Sequence, residues 1–239
     1  MSSHMNTFHL GPLSLDLPRV VGTVLSASLF DTLTPDITRQ CDVVEARLDG
    51  FDLSDLPAIL RAIQRVENLG IPVIATVRLP EDGGKWTGPE ADRKPVLEAV
   101  LKVASTIDIE VNSTLRPTLC RQAAELGKPV IVSIHDFTGT PPFDILNGIV
   151  EDVLTCPNAL PKLAVRIENG QDINTLLKLV ASHALTRPMC VMGMGDTGTC
   201  TRIALPALGT KFTYGFLDQT SAPGQKHSSE ILALLNQLR

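Results

Sequence analysis

The sequence lacks the features of nucleic-acid-binding, membrane-spanning and exported proteins. Its net charge of −5 at pH 7 gives no basic surface that would attract nucleic acid or an anionic membrane. No apolar run approaches the roughly 18 residues that a membrane span needs. The first residues have neither the basic nor the apolar region of a signal peptide. We therefore expect a cytoplasmic protein that binds neither nucleic acid nor membrane.

The cysteine patterns of metal sites and disulfide frameworks are also missing. The five cysteines are scattered, odd in number and never spaced as Cys-x-x-Cys. This distribution argues against a zinc site or a disulfide framework and favours free thiols in a reducing cytoplasm. We expect no structural metal.

Short β-branched segments alternate with segments of helical periodicity along the chain. In residues 53–68, apolar residues recur at the three- and four-residue spacing of one helix face. Gly70 and Gly127 each follow such a segment, and a proline two residues later marks a strand start. The predicted strands are 20–25, 42–47, 72–78, 106–111, 129–135, 161–166, 188–193 and 211–216.

Eight strands, each followed by a helix or a helix-like segment, predict a closed (β/α)8 barrel, the TIM barrel of the α/β class. The alternative is an open doubly wound sheet, which would need fewer strands and a ligand crevice at a switch point. The chain has 239 residues, and a barrel domain typically has about 250. We predict that residues 6–239 form a single barrel domain that is catalytic. Residues 1–5 (MSSHM) are interpreted as the remnant of an expression tag.

Charged residues gather on the predicted strands, most of them near the carboxyl ends, where a barrel carries its active site. The set comprises Glu45, Arg47, Arg78, Glu110, His135 and, near the start of its predicted strand, Lys162. A charge inside a barrel strand costs free energy unless it is paired or used. Each residue alone has an ordinary explanation; Glu45 and Arg47, for example, point to the same face and could form a buried ion pair. Their shared location favours an active site.

Five motifs, in order along the chain, resemble the successive signatures of one enzyme family. They are Glu45-Ala46-Arg47-Leu48-Asp49, Ser133-Ile134-His135-Asp136-Phe137 with Thr140-Pro141, Pro161-Lys162-Leu163-Ala164, Met192-Gly193-Met194-Gly195 with Thr201-Arg202, and Ser221-Ala222-Pro223-Gly224-Gln225. The family is type I 3-dehydroquinate dehydratase, and the resemblance covers about residues 20–225.

The resemblance implies the dehydration of 3-dehydroquinate to 3-dehydroshikimate in the shikimate pathway. Lys162 would form a Schiff base with the substrate ketone, and His135 would transfer protons as general acid and base. The implied substrate-binding residues are Thr23, Glu45, Arg47, Arg78, Arg202, Ser221 and Gln225. This chemistry needs no metal and no organic cofactor, and relatives of this kind are often homodimers.

Three details of the expected site follow from its chemistry. Lys162 must be neutral to attack a ketone, and we expect the apolar barrel interior and nearby arginines to disfavour its ammonium form. Arg202 is the candidate clamp for the substrate carboxylate, because a guanidinium binds a carboxylate through two hydrogen bonds. Residues 217–225, rich in small and polar side chains, are a candidate loop that closes over substrate, although such composition is also common in ordinary surface loops.

One position departs from the family pattern. The family usually has glutamate just before a Gly-Gly pair after the third strand, and the resemblance implies that this carboxylate orients the histidine. This chain has Asp82 there, with Glu81 one residue earlier. Because aspartate is one methylene shorter, the sequence leaves open whether Asp82 or Glu81 reaches His135.

Two other functions remain open at the level of sequence. A class I aldolase or transaldolase on the same fold also uses a strand lysine, and residues 193–198 (GMGDTG) could form its phosphate loop. Glycines at these positions suit a tight turn equally well. The second alternative is an inactive barrel that binds carboxylates or a partner protein. The presence of both Lys162 and His135 favours an enzyme.

Overall fold

The structure, a computed structural model, describes residues 8–184 and 186–238. Residues 1–5, interpreted as a tag remnant, lie outside the described residues. The strands are β1 (His9–Leu10), β2 (Leu13–Ser14), β3 (Arg19–Val24), β4 (Val43–Arg47), β5 (Val73–Thr76), β6 (Thr106–Glu110), β7 (Val130–Asp136), β8 (Ala159–Arg166), β9 (Cys190–Met194) and β10 (Phe212–Phe216). The α-helices are α1 (Ala27–Thr32), α2 (Leu56–Asn68), α3 (Arg93–Val103), α4 (Arg116–Glu125), α5 (Phe143–Leu154), α6 (Gly170–His183), α7 (Thr201–Ala207) and α8 (Ser228–Leu235). Short 3₁₀ helices lie at Pro35–Arg39, Leu48–Gly50, Leu53–Asp55, Pro80–Asp82, Glu90–Asp92 and Thr197–Cys200.

Strands β3 to β10 form one parallel sheet that curls into a nearly closed barrel. The strand order is β10-β3-β4-β5-β6-β7-β8-β9. Where β9 and β10 meet, the backbone N–H of Lys211 donates to the carbonyl of Met189 at 2.8 Å. Each strand of this sheet is followed by one of the helices α1 to α8. The predicted (β/α)8 barrel is confirmed.

The helix ends follow the local sequence signals. In α2, Ile59, Ile63 and Val66 form the buried face, and the side chain of the preceding Asp55 caps the first turn. Gly70, just after α2, has a φ of 78°, a left-handed backbone conformation that residues other than glycine rarely adopt. This glycine ends the helix as the sequence predicted.

The end of the barrel interior at the strand starts is apolar. Val21, Ile74 and Phe212 pack together there. The antiparallel hairpin of β1 and β2, which the sequence pattern did not predict, contributes Leu10 and Leu15 to the same cluster. These two leucines are 1% and 2% exposed, so the hairpin closes this end of the barrel.

Strand β8 begins earlier than predicted. The proline at position 161 was expected to start the strand, but the strand begins at Ala159 because Ala159 and Leu160 are apolar and buried in the barrel. Lys162 therefore lies in the middle of β8, in register with Ser133 of β7 and Cys190 of β9. The prediction that Lys162 lies near a strand start was wrong, and its side chain lies deeper in the barrel than the strand ends.

No helix within residues 8–184 and 186–238 is long and apolar enough to cross a membrane.

Candidate active site

A cavity at the carboxyl ends of the barrel strands gathers the residues that the sequence singled out. The lining includes Thr23, Glu45, Arg47, Arg78, Asp82, His135, Lys162, Arg202, Ser221 and Gln225. Phe137, Ala164, Met192, Met194, Tyr214 and Ala222 complete it. Glu110, which was also among the charged strand residues of the sequence, does not line the cavity and instead forms an ion pair with Arg78.

Lys162 is 4% exposed and is held by carboxylates. Its Nζ lies 2.8 Å from Oδ2 of Asp108 and 3.9 Å from Oε1 of Glu45. We expected the apolar barrel interior and nearby arginines to surround this amine, and Asp108 was not among the predicted site residues. The signal was present, because Asp108 lies two residues before Glu110 on β6 and so shares its face of the strand. In the free protein Asp108 is thus the direct ionic partner of Lys162.

Asp108 is in turn fixed by two further groups. The Nη2 of Arg78 lies 2.8 Å from its Oδ1, and the Ser133 hydroxyl donates to the same oxygen at 2.6 Å. Burial raises the pKa of Asp108, but Arg78 and Lys162 outweigh that effect and hold this pKa well below its usual range. Asp108 therefore remains ionised and orients the Lys162 amine.

Arg78 continues a buried chain of charges away from the cavity. Its Nη1 lies 3.2 Å from Oε1 of Glu110, whose Oε2 lies 2.8 Å from the fully buried Arg93. A buried charge without a partner would cost several kcal/mol, so this alternation of sign stabilises each member. Arg78 lines the cavity and also supports Asp108 from behind.

Glu45 and Arg47 do not pair with each other. Glu45 accepts hydrogen bonds from the hydroxyls of Thr23 at 3.0 Å and Thr76 at 2.9 Å. Arg47 donates through Nε and Nη2 to the two carboxylate oxygens of Asp49, at 2.9 Å and 2.8 Å. The alternative of a structural Glu45–Arg47 ion pair is therefore wrong, and both side chains are separately held at the cavity wall.

His135 is oriented by Asp82. One oxygen of Asp82, Oδ1, lies 3.1 Å from the ring Nδ1 and accepts the backbone N–H of His135 at 3.0 Å. The glycine pair that follows lets the loop turn this tightly, because a Cβ on Gly84 would lie 2.0 Å from the Arg78 carbonyl oxygen. Glu81 is exposed and does not line the cavity. Of the two carboxylates that the sequence left open, Asp82 is the one that contacts the histidine.

The surroundings of His135 favour its neutral form. Burial and the positive charge of Arg78 lower the pKa of His135 to about 4, although the hydrogen bond with Asp82 acts in the opposite direction. A neutral imidazole whose Nδ1–H is donated to Asp82 leaves Nε2 as an acceptor. His135 is therefore unprotonated at neutral pH, with Nε2 available to accept a proton from a bound substrate.

Arg202 is buried with two of its nitrogens unpartnered. Its Nη1 donates to the Tyr214 carbonyl at 2.9 Å and contacts the Met192 sulfur at 3.6 Å. Nε and Nη2 have no hydrogen-bond partner within residues 8–184 and 186–238, and burial lowers the pKa of Arg202 to about 10. Two adjacent unpaired N–H donors on one guanidinium match the two oxygens of a carboxylate.

The segment after β10 lies over the cavity. Oε1 of Gln225 accepts hydrogen bonds from the backbone N–H of Ser221 at 2.8 Å and from its hydroxyl at 3.0 Å. The Gly195 N–H donates to Pro223 O at 3.1 Å, and Thr199 donates to Gly224 O at 3.2 Å, which ties the segment to the β9 loop. These contacts hold the segment against the β9 loop at the edge of the cavity.

The glycine-rich run after β9 forms a tight turn. The N–H of Gly193 donates to the Thr201 hydroxyl at 2.8 Å, and that of Gly198 donates to Gly195 O at 3.0 Å. A Cβ on Gly193 would lie 3.0 Å from Gly198 Cα, so these glycines permit close backbone packing. Because these amides bond within the protein, the run does not present them to a phosphate as an aldolase loop would.

The sequence and the fold of this chain are similar to those of known 3-dehydroquinate dehydratases. The family model for type I 3-dehydroquinase matches residues 23–239. A 3-dehydroquinate dehydratase of Methanosarcina barkeri is 31% identical over 239 residues, covering 96% of this chain and 99% of that protein. One from Methanococcoides burtonii is 35% identical over 189 residues, covering 77% of this chain and 79% of that protein. The solved structure of 3-dehydroquinate dehydratase from Geobacillus kaustophilus shares the fold, with a TM-score of 0.86, 24% identity and coverage of 98% and 96%. The chain therefore belongs to the type I 3-dehydroquinase family, whose members are hydro-lyase enzymes.

Proposed function

We propose that this enzyme dehydrates 3-dehydroquinate to 3-dehydroshikimate, a step of the shikimate pathway, through a Schiff base on Lys162 with His135 as general acid and base. The observation that carries the proposal is the meeting of three groups in one cavity. They are a buried amine (Lys162), a neutral histidine held by a carboxylate (His135) and a buried guanidinium with two unpartnered donors (Arg202).

The first half of the reaction makes the substrate acidic. The neutral amine of Lys162 attacks the ketone carbon, and the resulting carbinolamine takes up a proton on its hydroxyl and loses water to become an iminium. This proton balances the one that the Lys162 ammonium gives up before attack. The iminium accepts the electron pair of the adjacent carbon when His135 removes a proton there, which gives an enamine. Before attack, the Lys162 ammonium must lose a proton and leave its ion pair with Asp108.

The second half expels the hydroxyl group. The nitrogen lone pair re-forms the iminium, the enamine double bond shifts to the next pair of ring carbons as the hydroxyl departs, and His135 supplies the proton that makes it water. Hydrolysis of the iminium then releases the enone product and restores the lysine. The substrate loses one water overall, and His135 ends in its starting state.

The remaining lining residues bind substrate in this proposal. Arg202 receives the carboxylate, because its Nε and Nη2 have no partner among the described residues. Glu45 and Arg47 offer an acceptor and a donor to ring hydroxyls, with Thr23 and Arg78 at the same wall. Ser221 and Gln225 close over the substrate from the loop after β10.

The protein is further proposed to act as one catalytic domain, residues 6–239, in a cytoplasmic homodimer. The five cysteines are all free, which supports a reducing compartment. The dimer follows from the resemblance alone, since relatives of this kind are often homodimers. Light scattering on a size-exclusion column would measure the mass, and a monomer at working concentration would contradict the dimer.

Trapping with sodium borohydride tests the covalent step. Borohydride added with 3-dehydroquinate should reduce the iminium and inactivate the enzyme, and peptide mass mapping should place the adduct on Lys162. Lys162→Ala should form no adduct, whereas Lys94→Ala, a change at an exposed lysine of α3, should be trapped like the parent. An adduct on another lysine would contradict the mechanism.

The role of His135 is separable from that of Lys162. His135→Ala keeps the amine, so it should still be trapped as an adduct but should lose at least about 10²–10⁴-fold in kcat. Absorbance of the enone product measures kcat, and whole-protein mass spectrometry measures the adduct. Near-parental turnover in His135→Ala would assign the proton transfer to another residue.

A further inference from the structure

Tyr214, which the sequence analysis did not single out, lies directly beside the proposed Schiff-base lysine. It is 4% exposed on β10 and lines the cavity. Its ring centroid lies 4.2 Å from Nζ of Lys162. A cation at this distance from an aromatic ring is attracted by the negative face of the ring.

The hydroxyl group of Tyr214 is buried without a hydrogen-bond partner among the described residues. Burial and the nearby carboxylates Glu45 and Asp108 raise the pKa of Tyr214 well above its ordinary value, so the phenol stays protonated and can donate. An unsatisfied buried hydroxyl carries a free-energy cost that a partner would remove. Because Tyr214 is on the cavity wall, a bound substrate is the available partner.

We propose that Tyr214 is a further active-site residue, whose ring stabilises the positive charge on the Lys162 nitrogen and whose hydroxyl donates a hydrogen bond to an oxygen of the substrate. This assignment rests on the proposed function. The nitrogen of Lys162 is positive as an ammonium and again as an iminium, so the ring stabilises the covalent intermediate. The hydroxyl forms no covalent bond and loses no proton; it selects a substrate with an acceptor oxygen at that position.

The two halves of the proposal predict different effects in two variants. Tyr214→Phe keeps the ring and removes the hydroxyl, so kcat/KM should fall about three- to ten-fold while borohydride inactivation at saturating substrate stays within about twofold of the parent. Tyr214→Leu also removes the ring and should slow that inactivation about three- to thirty-fold. The melting temperature of free Tyr214→Phe should be equal to or higher than that of the parent, because an unsatisfied buried group has been removed.

Thr213→Val provides the matched control. The Thr213 hydroxyl is also buried and has no partner among the residues described, but it lies one residue away on the opposite face of β10 and does not line the cavity. Its removal should leave kcat/KM unchanged.

Three results would overturn the assignment while leaving the proposed function in place. Parental kcat/KM in Tyr214→Phe would remove the hydroxyl from the site, and a lowered melting temperature of that variant would show that the hydroxyl serves the fold. Parental trapping in Tyr214→Leu would remove the ring from the site. If the parent itself neither turns over 3-dehydroquinate nor is trapped, the proposed function is wrong and this assignment is wrong with it. If the parent is trapped and the variants behave like it, only the Tyr214 assignment is wrong.

Discussion

At the scale of single residues, the buried cations among the described residues of this barrel are of two kinds, those paired with a carboxylate and one that is not. Lys162 and Arg78 each lie 2.8 Å from one carboxylate oxygen of Asp108. Arg202 instead has two buried donors with no partner in the part of the chain that the structure describes. An unsatisfied buried donor costs about 1–3 kcal/mol, which a substrate anion would recover on binding. The unpaired group therefore marks the proposed carboxylate position.

Replacement of Arg202 by lysine tests that position. Arg202→Lys keeps the charge but loses the planar fork, so substrate binding should weaken by about 1.5–3 kcal/mol. Steady-state kinetics should show a corresponding rise in KM, about ten-fold or more. Arg187→Lys makes the same change outside the cavity and should leave KM unaltered. An unaltered KM and kcat in Arg202→Lys would exclude Arg202 from the site.

The pairing of Asp82 with His135 predicts a pH effect. The pKa of His135 is lowered to about 4 by burial and Arg78, and Asp82 opposes this shift. The base is therefore active above that pKa and is lost as pH falls through it. Asp82→Asn removes an opposing negative charge, so the acidic limb of the kcat/KM profile should move to lower pH. Glu81→Gln should leave the limb in place, and a shift in that variant instead would transfer the role to Glu81.

At the scale of elements, the segment after β10 depends on one glycine. Gly224 has a φ of 70°, and a Cβ there would lie 2.4 Å from the carbonyl oxygen of Gly195. This close approach is what ties the segment to the β9 loop and holds Ser221 and Gln225 over the cavity. A side chain at position 224 would have to push the two loops apart.

Gly224→Ala should therefore impair activity more than stability. The displaced loop should lower kcat/KM by about 10²-fold, the size of effect expected for a misplacement of about 1 Å. Gly139→Ala is the control, because nothing lies within 4 Å of a Cβ at that loop glycine and its φ is not positive. Kinetics and a melting curve on both variants measure the effect; parental kcat/KM in Gly224→Ala would show that the loop does not need this contact.

At the scale of the whole molecule, the barrel separates stability from chemistry along its axis. The strand starts enclose an apolar cluster that the β1–β2 hairpin completes, and the strand ends carry the charged cavity. Apolar contacts at the first end offset the cost of buried charges at the second.

Truncation of Leu15 tests this separation. Leu15 is 2% exposed in the apolar cluster, so Leu15→Ala should lower the free energy of unfolding by about 2–5 kcal/mol. Leu17→Ala, at a leucine 48% exposed, should change it by no more than about 0.5 kcal/mol. Urea unfolding gives both values, and kcat/KM should stay near the parental value in both variants. A large loss of activity in folded Leu15→Ala would contradict the separation.

The alternation of strands and helices was predictable from sequence because it depends on local periodicity. The β-branched segments, and glycines such as Gly70 at helix ends, encode the eight β/α units without reference to distant residues. The motifs around Lys162 and His135 were recognisable as well, since a family signature is a linear pattern. A barrel brings strand ends together, so the residues named from those motifs line a shared cavity.

Other features depended on contacts between residues far apart in the chain. Whether Asp82 or Glu81 meets His135 depends on how one loop turns against another strand. Asp108 and Tyr214 look like ordinary strand residues in the sequence. They lie 54 and 52 positions from Lys162 along the chain, respectively, and only closure of the barrel places both beside it. The early start of β8 and the β1–β2 hairpin likewise depend on burial against the rest of the barrel. The sequence by itself thus determined the β/α units and the catalytic signature, because both are local patterns along the chain. Only the tertiary structure decided the partners of each charge, because ion pairs and hydrogen bonds depend on distance in space.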